Sequence, residues 1–139
     1  MSSTLLPPDY TPSGDEEFMN PMMREFFRQR LLDWRAELVK ESGQTLQNMQ
    51  EVSLQESDIA DRASLETERA LELRTRDRER KLISKIDSAL RHIDTGEYGF
   101  CEETGEPIGL RRLIARPIAT LSLEAQEQHE RMEKTHRED

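Results

Sequence analysis

Apolar residues recur along the first half of the chain with the period of a helix. Phe27, Leu31, Trp34 and Leu38 follow at spacings of four, three and four, and Leu46, Met49 and Ser53 keep a similar phase. This spacing lines one face of an α-helix that starts near Met22. A second periodic stretch runs from about Arg62 to His92, through Ala63, Ala70 and Leu73 and then Leu82, Ile83, Ile86, Leu90 and Ile93, and Gly96 and Gly99 end it. Between the two lies SDIAD, residues 57 to 61. Its Ser and Asp side chains are natural N-caps, with Asp61 expected to cap the second helix and Asp58 to support the turn.

Two long helices with a short break predict an antiparallel hairpin. If the chain folds back near residue 59, facing residues have numbers that sum to about 118. KESGQT, 40 to 45, then meets RTRDRERK, 74 to 81; Leu46 and Met49 fall near Ala70 and Leu73, and Leu31 falls near Ile86. Polar meets polar and apolar meets apolar. Residues 94 to 120 read as short extended pieces, with Tyr98-Gly99-Phe100 and Pro107-Ile108-Gly109 flanking an EETGE turn as a small β-hairpin. Ser122 caps a last helix, whose early Glu124 and Glu127 suit its dipole. Residues 1 to 21, with four prolines and an acidic DEE, predict a flexible or loosely docked arm.

Composition fits this picture. Of 139 residues, 34% are hydrophobic, 5% aromatic and 35% charged, too little apolar surface for one large core and typical of long solvated helices. The net charge of −9 disfavours general attraction to nucleic acid phosphates, so a basic protein surface is the better partner. Neither a signal peptide nor a membrane span is legible, and one cysteine forms no internal disulfide, so the expected location is the cytoplasm.

Charge is also segregated along the hairpin. Residues 46 to 73 carry seven acids against two arginines, a net of −5, and residues 74 to 91 carry seven bases against three acids, a net of +4. Opposite signs therefore sit at opposite ends of a rod roughly 50 Å long, taken at 1.5 Å per helical residue.

Candidate chemistry gathers in two places. Cys101 opens a Gly- and Pro-marked turn of the kind that makes a zinc knuckle, yet it is the chain's one cysteine, and the later positions hold Ser122 and Ala125. His129 and His136 are seven apart on one helix, about 10 Å in rise, too far to serve one ion with it. Cys101 reads as a small buried hydrophobe; a redox sensor would need exposure and a lowered pKa, which Glu102 and Glu103 are expected to oppose. The second place is Asp58 and Asp61. Paired acids on a loop can hold magnesium for hydrolysis, but no third ligand, general base or pocket accompanies them.

Four segments together resemble the DksA family of bacterial transcription factors: FMNPMMREFFRQRLLDWRAEL (18 to 38), DIADRAS (58 to 64), LELRTRDRERKLISKID (71 to 87) and EYGFCEETGEPIGLRRLIARP (97 to 117). DIADRAS matches a D-x-x-D-x-A signature at the family's hairpin tip. The resemblance implies a mainly α fold, a long antiparallel coiled-coil hairpin rooted in a small globular head with a degenerate zinc-finger-like β-hairpin and a C-terminal helix. The segments are then an arm at 1–21, the hairpin at 22–93 with its tip at 57–64, and the head with its helix at 94–139. It implies a non-enzymatic, monomeric regulator that enters the secondary channel of bacterial RNA polymerase, shortens promoter open complexes without touching DNA, and acts with the alarmone ppGpp in the stringent response. Asp58, Asp61 and Ala63 are then the active-site-facing tip, and Leu82, Lys85 and Arg116 the positions that meet ppGpp. Gln126 stands where the family usually has lysine, which removes one charge facing a phosphate.

The family's liganded finger has Cys-x2-Cys-x17-Cys-x2-Cys, whose positions here are Cys101, Thr104, Ser122 and Ala125. One thiolate, two hydroxyls and a methyl are not expected to retain zinc. Thr104 and Ser122 are expected to exchange hydrogen bonds in its place, and Ile108, Leu110, Leu113, Ile114, Ile118, Leu121 and Leu123 to supply a replacement core. Alternatives from other classes are a structural coiled-coil adaptor and a Gre-like transcript-cleavage factor, the latter with a differently placed hairpin.

Overall fold

Two long helices account for most of the computed structural model, which describes residues 6–54 and 59–138. α1 spans Pro21–Leu54 and α2 spans Ile59–Thr95; the short α3, Leu110–Ala115, and α4, Leu123–Glu138, follow. Each end has a local cause. Pro21 opens α1, where a missing N–H costs nothing, and the Asn20 side chain accepts the Met23 N–H at 2.9 Å. α2 closes with Gly96 at φ 83. There the Glu97 N–H reaches the His92 carbonyl and the Gly96 N–H that of Ile93, the paired bonds of a glycine-terminated helix. Ser122 Oγ accepts the Ala125 N–H at 3.2 Å and caps α4 as expected.

The chain divides into two compact units, Leu32–Asp87 and the combination of Met1–Leu31 with Ser88–Asp139. In the first, α1 and α2 pair as antiparallel helices, joined where Arg35 Nε donates to Asp87 Oδ1 at 2.7 Å. These numbers sum to 122, as do those of the Arg28–Asp94 pair in the other unit. The expected 118 is thus one helical turn short, and a slip of about one turn leaves the same faces opposed, so the polar-to-polar match survives it.

The face that α2 buries corrects the sequence reading. Leu65, Arg69, Glu72, Arg76, Glu79, Ile83 and Ile86 are all half-buried or buried, while Ala63 and Ala70 are exposed and Leu73 keeps 48% of its surface. The buried positions alternate steps of four and three, the heptad seam of a coiled coil. The α1 stripe is as read as far as Leu46: Phe27 and Leu31 are fully buried, Leu38 nearly so, and Trp34 and Leu46 half-buried, while the side chains of Met49 and Ser53 lie outside those described.

In the other unit, Met23, Phe27, Tyr98, Ile108, Leu113 and Ile118 form the core. Tyr98 packs on Phe27 with ring centroids 5.5 Å apart and donates its hydroxyl to the Pro117 carbonyl at 2.8 Å. Residues 6–20 are fixed here by specific contacts: Phe18 meets Phe100 edge to face, Tyr10 does the same to Phe26, and Met19 is buried. Met19 lies so close to Gly99, itself at φ 92, that a Cβ there would come within 3.1 Å of its side chain. The expected β-hairpin reduces to a single antiparallel bridge between Phe100 and Pro107, with no longer strand among the described residues. α3 was not expected; its LRRLIA buries Leu113. Leu123, assigned to the replacement core, is 57% exposed, whereas Ile108, Leu113 and Ile118 do serve in it.

Candidate functional site

Of the three residues expected at the tip, Asp61 and Ala63 lie near the start of α2. Asp58 lies outside the described residues. Asp61, expected to cap α2, lies within the helix Ile59–Thr95 instead. Ala63 is exposed. Farther along α2, Lys85 is exposed and Leu82 half-buried. Arg116 belongs to the other unit, where it ends α3 with its N–H on the Arg112 carbonyl and its side chain exposed. Gln126 donates to Glu130 one turn along α4.

The four finger positions all fall within one unit, around a tight turn. The Cys101 N–H donates to the Glu106 carbonyl at 2.8 Å, and the Gly105 N–H to that of Cys101 at 2.9 Å. Cys101 and Ala125 are buried. Thr104 Oγ1 accepts the Glu106 N–H while Ser122 Oγ caps α4, so the two hydroxyls are engaged separately instead of with each other. Burial pushes the Cys101 thiol up, but the Ser122 N–H, the Thr104 hydroxyl and the Thr104 and Glu103 N–H groups outweigh it and bring the pKa down to about 6. The acidic sequence around Cys101 was expected to oppose a thiolate; the backbone of one of those acids helps to hold it. Exposure, the other requirement for a sensor, is absent, with 3% of Cys101 accessible.

His129 of α4 pairs with Glu103 across this turn. The Glu103 carboxylate raises the imidazole above its usual value, first by hydrogen bond and then by charge. That link was not legible in the sequence, where the histidine was weighed only as a metal ligand. Among the described residues no cluster of three or more His, Cys, Asp or Glu side chains could hold a metal ion.

Two family models match the chain: the N-terminal domain of DnaK suppressor protein DksA over residues 23–93, and the prokaryotic dksA/traR C4-type zinc finger over residues 96–131. The chain belongs to the DksA family. It is 62% identical, over 94% of its length and 92% of the relative's, to the RNA polymerase-binding transcription factor DksA of Caulobacter vibrioides NA1000. Identity to the DksA of Escherichia coli K12 is 44%, over 83% of this chain and 76% of that one. Among solved structures, transcription factor DksA2 from Pseudomonas aeruginosa matches with a TM-score of 0.79 and 45% identity, covering 84% of this chain and 90% of that one.

Zinc, which the DksA finger implies, does not fit this donor set. The Ser122 hydroxyl caps α4, the Thr104 hydroxyl is engaged by the Glu106 N–H and by Cys101, and Ala125 presents a buried methyl. The finger offers one thiolate where a structural zinc takes four good ligands. The helical DksA fold of the chain is therefore retained with one thiolate of four.

Proposed function

We propose that this protein binds RNA polymerase directly, within the secondary channel, and regulates transcription without catalysis of its own. The supporting observation is its 62% identity, nearly end to end, to a protein named an RNA polymerase-binding transcription factor. An acidic start to α2 and a basic stretch at 74 to 91 agree with a rod oriented by charge in a narrow channel. In this reading Asp58, Asp61 and Ala63 approach the polymerase active site and destabilise promoter open complexes. Leu82, Lys85 and Arg116 share ppGpp with the polymerase, Gln126 contributing one cation fewer. No helix among the described residues is long and apolar enough to cross a membrane. The test is co-purification with core RNA polymerase, followed by open-complex lifetime at a sensitive promoter with and without ppGpp. Stoichiometric binding with a shortened lifetime is expected. A protein that fails to bind core enzyme is an adaptor instead, and one that cleaves backtracked transcripts is a Gre-like factor.

A further inference from the structure

Within the unit Leu32–Asp87, the coiled coil is built inside out over part of its length. Leu71 and Leu73 keep 54% and 48% of their surface exposed, while Glu79, two turns along, keeps 7% and is the one buried charged residue among the described residues. Arg76 Nε and Glu79 Oε2 are buried with no hydrogen-bond partner among the described residues. The heptad steps are unbroken here, so the polar residues occupy true seam positions. Arg69, Glu72, Arg76 and Glu79 are four in a row, followed by Ile83 and Ile86. A charged group at such a position is desolvated without full compensation, and polar seam residues lower the stability of a coiled coil.

The facing helix is weak at the same level. In the register set by Arg35 and Asp87, whose numbers sum to 122, Glu79 falls at the level of Gly43, which is exposed. Gly43 lies in the interior of α1 with nothing within 4 Å of where its Cβ would be. Glycine in a helix interior carries the largest backbone entropy loss of any residue, and here no close approach requires it. Trp34 and Leu38 of α1, by contrast, share the unit with the apolar end of the α2 seam, where Ile86 is fully buried.

We propose that residues 69–79 of α2, with the facing stretch of α1 around Gly43, are a built-in weak section of the coiled coil. It opens locally in the free protein, so that the segment carrying Asp61 and Ala63 adjusts when a partner encloses it. The second clause rests on the polymerase reading; the first does not.

Hydrogen exchange of the full chain, read by mass spectrometry without any partner, tests the first clause. Amides of 69–79 should exchange about tenfold or more faster than those of 83–93, the signature of local opening. Equal or slower exchange at 69–79 overturns the proposal. The double variant Arg76→Leu/Glu79→Leu should bring 69–79 to the protection of 83–93 and raise the melting temperature; Glu79→Leu alone should move both part of the way, and serves if the double variant aggregates. Protection unchanged in both variants overturns the assignment to the polar seam. For the second clause, the more protected variant should still co-purify with core RNA polymerase while its shortening of open complexes falls severalfold. Full regulation by a protected variant refutes that clause. A wild-type protein that does not bind polymerase removes the partner and leaves the exchange contrast to decide the weak section.

Discussion

Chelation should leave the head of this protein intact, because its finger positions offer one thiolate of four and its core is apolar. Structural zinc supplies roughly 10–16 kcal/mol in isolated finger peptides, as much as the whole stability of an ordinary domain. If zinc held residues 96–131, its removal would unfold them. In the structure, Leu113 is fully buried and Ile108 and Ile118 are nearly so, with the Tyr98 hydroxyl tied to the Pro117 carbonyl beside them. Truncating a buried leucine to alanine costs about 2–5 kcal/mol. At roughly 4 °C per kcal/mol for a chain of this size, Leu113→Ala should lower the melting temperature by about 8–20 °C. EDTA should lower it not at all, and elemental analysis should find no stoichiometric zinc. The assay is thermal unfolding followed by circular dichroism, with and without chelator, for wild type and Leu113→Ala. One tightly held zinc per chain, or a chelator shift comparable with that of the variant, refutes the reasoning from Thr104, Ser122 and Ala125.

Three further outcomes follow from named contacts. The His129–Glu103 pair raises the imidazole pKa, so its contribution is fully present below the unfolded histidine value and fades as pH rises through the folded one. A proton NMR titration should place His129 above the ordinary histidine range, and Glu103→Gln should return it there; an unshifted His129 in wild type dissolves the pair. Cys101→Ser should be mildly destabilising and still active in open-complex assays, since a buried thiol senses little; complete loss of activity would restore the redox reading. Lys85→Ala and Arg116→Ala should each weaken ppGpp synergy about tenfold or more with little effect on basal binding, as loss of a charge-assisted hydrogen bond worth roughly 1.5–3 kcal/mol requires. Gln126→Lys should strengthen it, and unchanged ppGpp dependence in both alanine variants removes the site.

The sequence carried the helices well and the seam poorly, for one physical reason. Hydrophobic period identifies a buried face only where that face is apolar. It did so in α1, where Phe27, Leu31 and Leu38 are all buried, and it failed in the first half of α2, where Arg69, Glu72, Arg76 and Glu79 follow Leu65 in the seam while Leu71 and Leu73 are exposed. Tip and finger positions came from ordered motifs, which periodicity cannot supply. Asp61 was expected as a cap because DIAD offers two acids three residues apart, and it lies inside α2 instead. The contacts that matter most around Cys101 are backbone N–H groups, which no side-chain pattern announces.

The start of α2 allows binding and regulation to be separated. Asp61 lies near the described start of α2, where removal of one negative charge is expected to cost about 0.3–1 kcal/mol through the helix dipole. Asp61→Asn keeps the size, keeps the helix start and removes only the charge, so its melting curve should shift by less than about 1 kcal/mol. If the carboxylate acts on a charged group near the polymerase active site, this change should abolish shortening of the open complex while binding to core enzyme falls only modestly. The reason is area: in the proposed complex the two helices would offer most of the contact surface, with Asp61 only at the end of one. Ala63 tests shape independently. It is exposed, so Ala63→Thr buries nothing new in the free protein and alters no charge. Loss of regulation in that variant would mean close approach of the backbone at the tip. A purely structural role for Asp61 makes the opposite forecast, with Asn fully active and any deficit proportional to lost stability. Lifetimes at one sensitive promoter, measured beside binding and melting for each variant, decide between them: full regulation by Asp61→Asn ends the charge-based role of this residue.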